Sequence, residues 1–325
     1  MRSGVRHRRW LAPLAALAAL LACACGRTVP HGGEVVGAPP PTPPPPPATP
    51  SGPDLLPRDL DLVLRVDLAQ MRRGLGEGPS EELTRRALQE ADPEAIVRRT
   101  LARADAVWVG LRVGSLFEGD RVLVVDAPPG TVEPDPIAWS PRPGGDDEVQ
   151  QYDAATRPPR SGTARILILD DGTALFVSPV ELDAVDRVLR DGPDAERGQP
   201  EARGLVSLDW RVQPPGVALQ NRFPSLAALM RGVRRVRATV TMGGNELELE
   251  GRLICHSETS AGKVQRFLET FANTARQIER YEPLLRSLEL RQAGNSVQVR
   301  WTLPPEAVLG LLRDDDQGEN PASRH

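Results

Sequence analysis

Residues Val236–Cys255 read VRATVTMGGNELELEGRLIC. Val236, Ala238, Val240 and Met242 alternate with polar residues, and Gly243-Gly244-Asn245 interrupts the pattern. Leu247, Leu249, Leu253 and Cys255 then resume it. A period of two puts alternate side chains on one face of an extended chain. Glycine beside asparagine supplies the positive φ that a tight turn demands. The stretch predicts a β-hairpin with one buried and one solvated face.

Working outward from this hairpin, helices and further strands alternate with it. Leu205–Val212 reads as a strand, and Ser225–Val233 as a helix using Leu226, Leu229, Met230 and Val233. A helix is expected from about Ser260, with Val264, Phe267, Leu268, Phe271, Ala275 and Ile278 on its core side at helical spacing. Leu288 and Leu290, a turn at Gly294-Asn295, and Val297, Val299, Trp301 and Leu303 predict a second hairpin. Pro304-Pro305 opens a last helix through Val308, Leu311 and Leu312.

The preceding part of the chain reads in the same order. Leu62, Leu64, Val66 and Leu68 alternate, as do Val107, Val109, Leu111 and Val113. Val122–Val125 is a continuous apolar run after a turn at Glu118-Gly119-Asp120. Ile166–Leu169 and Ala174–Val177 are two more such runs, joined by Asp170-Asp171-Gly172. Helix starts are expected at Ser80, which precedes Glu81 and Glu82, and at Asp92-Pro93. Ser178-Pro179-Val180-Glu181 reads as a capping box before Leu182, Val185 and Leu189.

The pattern predicts an α+β protein of two similar halves, residues 59–192 and 203–313, each a mainly antiparallel sheet covered by helices. Element order suggests an internal duplication, with Leu64 equivalent to Leu208 and the turn at Asp171-Gly172 equivalent to Gly294-Asn295. Residues 128–163, rich in Pro, Gly and Asp, are expected to lack regular structure, as is the acidic tail 314–325.

The N-terminus carries an address. Arg2, Arg6, Arg8 and Arg9 precede Leu11–Ala22, an apolar stretch too short to span a bilayer. Leu20-Leu21-Ala22-Cys23 resembles the lipobox of bacterial lipoprotein precursors, with Leu20 and Ala22 in the preferred places. The resemblance implies a signal peptide at 1–22, lipid on Cys23 and a membrane partner through that lipid. Cys25 is the second choice, since Ala stands where Leu is preferred. It implies a cell-envelope location, and Ala24 after the cysteine points to the outer membrane, facing the periplasm. Several acyl chains would make the tether effectively permanent. Residues 23–58 form the tether, and Pro39–Pro47 favours extended polyproline II.

Charge and residue types restrict the chemistry. The chain has 40 basic and 44 acidic residues. Without residues 1–22 and their four arginines, 36 basic remain against 44 acidic, or −8. No basic stripe is left to neutralise phosphates, so nucleic acid is not an expected partner. Cys255 is the one cysteine beyond the anchor region and His256 the one histidine of the globular part. Adjacent strand residues face opposite ways, which puts Cys255 in the core and His256 in solvent. No cofactor or metal site is expected from these residues.

Gly74-Leu75-Gly76-Glu77-Gly78 is glycine-rich before a helix, but Glu77, Glu81 and Glu82 would repel phosphate, so a loop is expected. Ser260-Ala261-Gly262-Lys263 is similar to the S-x-x-K of penicillin-binding proteins and serine β-lactamases, which implies a Ser260 nucleophile assisted by Lys263. Their K-T-G strand cannot exist here, because Lys263 is the one lysine, and S-D-N is missing. Ser260 is equally suited to capping the helix. Trp108 and Trp210 are candidates either for a binding face or for burial under a helix.

The expected function is a non-enzymatic envelope lipoprotein with no catalytic residue, whose body binds an unknown protein or small-molecule partner. The rivals are a periplasmic lipid or small-molecule carrier and a serine hydrolase using Ser260 and Lys263.

Overall fold

The computed structural model describes residues 52–91, 94–112, 120–143, 149–159, 162–169, 171–192, 204–214, 224–278 and 281–307. The expected signal peptide, Cys23, Cys25, the acidic tail, the expected cap at Asp92-Pro93 and the apolar residues of the expected last helix lie outside them.

The protein is α+β, with one 12-stranded sheet. Its strands are β1 (Leu62–Asp67), β2 (Ala106–Leu111), β3 (Arg121–Asp126), β4 (Trp139–Pro141), β5 (Val149–Ala154) and β6 (Arg165–Leu169). They continue with β7 (Ala174–Val177), β8 (Val206–Arg211), β9 (Val233–Gly243), β10 (Glu246–Cys255), β11 (Glu289–Ala293) and β12 (Ser296–Leu303). The spatial order is β11-β12-β10-β9-β8-β1-β2-β3-β7-β6-β5-β4, and all neighbouring strands are antiparallel. The expectation of a separate sheet in each half is thus corrected: β1 and β8 pair directly, Leu64 opposite Leu208, and join everything into one sheet. Pairing along this seam satisfies the backbone N–H and C=O groups that each strand would otherwise present at a sheet edge.

Directly opposed residues share a face. One row runs Leu290, Val299, Gly251, Ala238, Leu208, Leu64, Val109, Leu123, Phe176, Ile166, Tyr152 and Pro141, crossing every strand. The adjacent row on the reverse face runs Arg300, Glu250, Thr239, Ser207, Arg65, Trp108, Val124, Leu175 and Leu167. The first face is mainly apolar, with Arg121, Gln150 and Gln292 among its exceptions. The second is polar on the β8–β12 wing and apolar on the β2–β7 wing.

Helices follow this division. On the first face, α6 (Glu258–Arg276) and α7 (Glu282–Leu285) cover the β8–β12 wing, and α3 (Ala95–Arg103) covers the other wing. On the reverse face, α4 (Leu182–Asp191) and a 3-10 turn at Gly52–Leu55 cover only the β2–β7 wing. Strands buried on both faces need apolar side chains at successive positions, whereas strands buried on one face need them at alternate positions. That is why Val122–Val125 and Ala174–Val177 are continuous apolar runs, all buried, while β10 alternates.

Several local expectations are corrected. Residues 128–163 contain β4 and β5, with Trp139 buried against Val132 and Tyr152. A single aromatic anchor there outweighs the loop-forming composition. Packing begins before residue 59, where the folded body was expected to start, since Leu55 and Leu56 are in the core. Strand β1 stops at Asp67, whose carboxylate accepts from the Gln70 N–H and caps α1 (Leu68–Leu75). The glycine-rich loop is a junction of two helices: Gly76, at φ 83°, separates α1 from α2 (Glu77–Ala91). Ser80 therefore lies inside α2, where its hydroxyl donates to the carbonyls of Gly76 and Glu77. Val233 belongs to β9, because α5 (Pro224–Met230) ends before it.

Gly172 turns the β6–β7 hairpin at φ 93°, and a Cβ there would lie 2.2 Å from the Ala127 carbonyl oxygen. No other residue type fits this turn without moving the backbone.

Candidate functional site

The first turn of α6 places Ser260 and Lys263. Ser257, in extended conformation, is the N-cap, and its hydroxyl accepts from the Ser260 N–H at 3.1 Å. Ser260 thus follows the cap instead of forming it. Its Oγ lies 3.0 Å from Ser257 Oγ, hydroxyl facing hydroxyl, and Lys263 is exposed. Cys255 is buried on the sheet's covered face, and burial pushes its thiol above the ordinary range. His256 is exposed. Among the described residues, no group of three or more His, Cys, Asp or Glu converges as a metal-binding cluster. Trp108 and Trp210 are both half-buried, and the Arg65 guanidinium sits 5.6 Å above the Trp108 ring.

Two other surfaces stand out. The first is the outer side of α6. Ala261, Val264, Leu268 and Ala272 are its buried residues, spaced to meet β9, β10 and β12. Phe267, Phe271 and Ile278, expected in the core, are instead 38%, 56% and 48% exposed. Phe267 and Phe271 sit one turn apart beside the buried row, so the apolar arc is wider than the contact it makes. Periodicity locates such an arc but not where the covered part ends. Among the described residues, no helix is long and apolar enough to cross a membrane.

The second surface lies on the reverse face, where the cover formed by α4 and the N-terminal segment stops. An open cleft of about 510 Å³ is lined by Pro57, Arg58, Asp59, Ala184, Arg187, Val188, Asp191, Gly192 and Arg211. Beside it, Glu181 is fully buried and takes two hydrogen bonds from Arg112, through Nε and Nη2. The same guanidinium reaches Asp59 Oδ2 at 2.8 Å. The Glu181 hydrogen bond, above all, holds Arg112 even more basic than usual, against the opposing effect of burial. The expected capping box is therefore not one: Glu181 faces Arg112, and Ser178 Oγ accepts from the Arg121 N–H. Beyond the cleft the uncovered wing carries Arg235 and Arg237 around Asp209, with Arg235 donating to both carboxylate oxygens. That hydrogen bonding raises Arg235 above its ordinary range.

No family model matches the chain, and no curated protein matches it in sequence. The fold is similar to a solved structure of TP0453. Crystal form I of that protein superposes with a TM-score of 0.51 and 13% identity, covering 82% of this chain and 98% of that one. Crystal form III gives a TM-score of 0.49 and 12% identity, covering 82% and 99%. At such identity the likeness is one of fold.

Proposed function

We propose that the chain is the precursor of a cell-envelope lipoprotein, anchored through lipid on Cys23 to the outer membrane, whose α+β body works by binding and not by catalysis. The observation that carries the binding reading is the exposed pair Phe267 and Phe271 on a helix whose other side is packed, with exposed Ile278 just past its C-terminal end. Large apolar side chains held in water on a rigid element cost free energy that a docked partner recovers. The head of α6 supports the same reading, because Ser260 meets a second hydroxyl and not a base.

The body is built, in this reading, by using one unit twice. Outward from the β1–β8 seam, one wing runs β2, β3, β7, β6 and the other β9, β10, β12, β11. In both, the last hairpin folds back so that its second strand pairs inward. Leu64 and Leu208, equivalent by element order, oppose each other in register, as residues about a two-fold axis would. The β4–β5 hairpin is then an addition to one copy.

A photoreactive phenylalanine analogue at position 271, in cells making the full chain, tests the binding reading. A discrete adduct at 271, absent when the analogue stands at the exposed Asn273, is the expected result. Equal or absent labelling at both positions overturns it. In the same cells, Cys23→Ser should abolish incorporation of labelled fatty acid. Retained labelling in Cys23→Ser, lost in Cys25→Ser, would move the anchor to Cys25.

A further inference from the structure

The two edges of the sheet are finished differently. At one, β4 spans three residues and ends on Pro141, which has no N–H to offer a further strand. At the other, β11 spans five residues without proline, and its register with β12 is uninterrupted. An edge left in this state is a template for another strand.

The open groups follow from the hairpin. The β11–β12 turn is Gly294-Asn295, so Ala293 and Ser296 beside it exchange both of their backbone hydrogen bonds. The far side of β12 agrees, because the Cys255 N–H donates to the Asn295 carbonyl at 2.9 Å. Counting back by two, Arg291 and Glu289 also turn their backbone groups to β12. Leu290 and Gln292 turn theirs outward, and among the described residues nothing hydrogen-bonds to them.

The side chains restrict what can pair there. Glu289 and Arg291 are exposed on the uncovered reverse face, and among the described residues neither has an ion-pair partner. Arg300, directly opposite Glu289 on β12, reaches Glu250 instead. Leu290, between the two charges, belongs to the apolar face. A second β11 laid antiparallel and centred on Leu290 sets each Glu289 opposite Arg291 of the other copy, and Leu290 opposite Leu290. Centring it on Arg291 would set arginine against arginine, which charge repulsion disfavours. The strand is thus complementary to itself in one register.

We infer that β11 pairs with the β11 of a second copy of this chain, antiparallel about a two-fold axis at Leu290, so that one sheet continues across the dimer. The N–H and C=O of Leu290 exchange hydrogen bonds with those of the second Leu290, and two Glu289–Arg291 pairs flank them on the reverse face. The interface uses no residue of α6, so its failure would leave the reading of that helix standing.

Sedimentation equilibrium of the full chain in a nonionic detergent tests it. The chain should pass from monomer to dimer as concentration rises, since so short an edge makes a weak contact. Glu289→Arg and Arg291→Glu should each weaken the dimer about tenfold or more, because both cross-strand pairs become repulsive. Mixing the two variants should restore it, since each chain then supplies the charge that the other lacks. Both positions are exposed, so the fold tolerates either change. The Leu290 amide, fast to exchange in dilute solution, should slow as the dimer forms. A chain that stays monomeric at every concentration overturns the inference, as does a dimer that both charge variants leave unchanged. So does a dimer that Phe267→Ser and Phe271→Ser abolish while the charge variants keep it.

Discussion

Among the described residues, Glu181 is the charged one with least contact with water, at 0% exposure, and Arg112 is its partner. A buried carboxylate is tolerable only while its partner stays in place. Arg112→Met should therefore destabilise the fold by about 3–5 kcal/mol, the usual cost of leaving a buried charge uncompensated. Urea unfolding measures it, and a loss below 1 kcal/mol would show that water reaches Glu181. Replacing both partners, as Arg112→Met with Glu181→Leu, should recover most of the loss. None of this pairing was legible in the sequence. Glu181 fits a capping box by spacing, and its actual partner lies 69 residues away. Cys255 and His256 are the opposite case. Alternation alone placed one inside and the other outside, because a strand gives a side chain only two directions.

At the scale of elements, the β4–β5 hairpin shows where composition misleads. Its surroundings are full of Pro, Gly and Asp, yet Trp139 is 7% exposed and packs into the core with Val132. Trp139→Ala should cost about 3–5 kcal/mol by creating a cavity. A cost under 1 kcal/mol in the same urea titration would mean the hairpin is loosely attached. Helix α6 misleads differently. Val264 and Leu268 were legible as core, but Phe267 and Phe271 share their spacing and are not covered. A helix pattern gives the angular width of an apolar arc. Only the neighbouring element decides how much of the arc is buried.

For the whole molecule, the seam between β1 and β8 is the decisive contact. It makes β1 and β8 central strands and leaves β11 and β4 at the edges. Amide hydrogen exchange should be slowest in Val63–Val66 and Ser207–Asp209, and fastest in β4 and β11, because central strands open only with the whole sheet. Faster exchange at the seam than in β10 or β3 would mean that the two wings unfold as separate bodies. The cleft is also a whole-molecule property. Arg58, Arg187 and Arg211 are far apart in sequence, and no motif unites them.

By itself the sequence determined the α+β class, the hairpins other than β4–β5 and the direction of alternating side chains. Each of these follows from local periodicity and turn chemistry, which act within a few residues. The joining of the strands into one sheet, the Arg112–Glu181 pair, the uncovered side of α6 and the arginine cleft were decided by the tertiary structure. Each depends on which element packs next to which. That choice rests on buried area and charge summed over distant segments, and no window of neighbouring residues contains it.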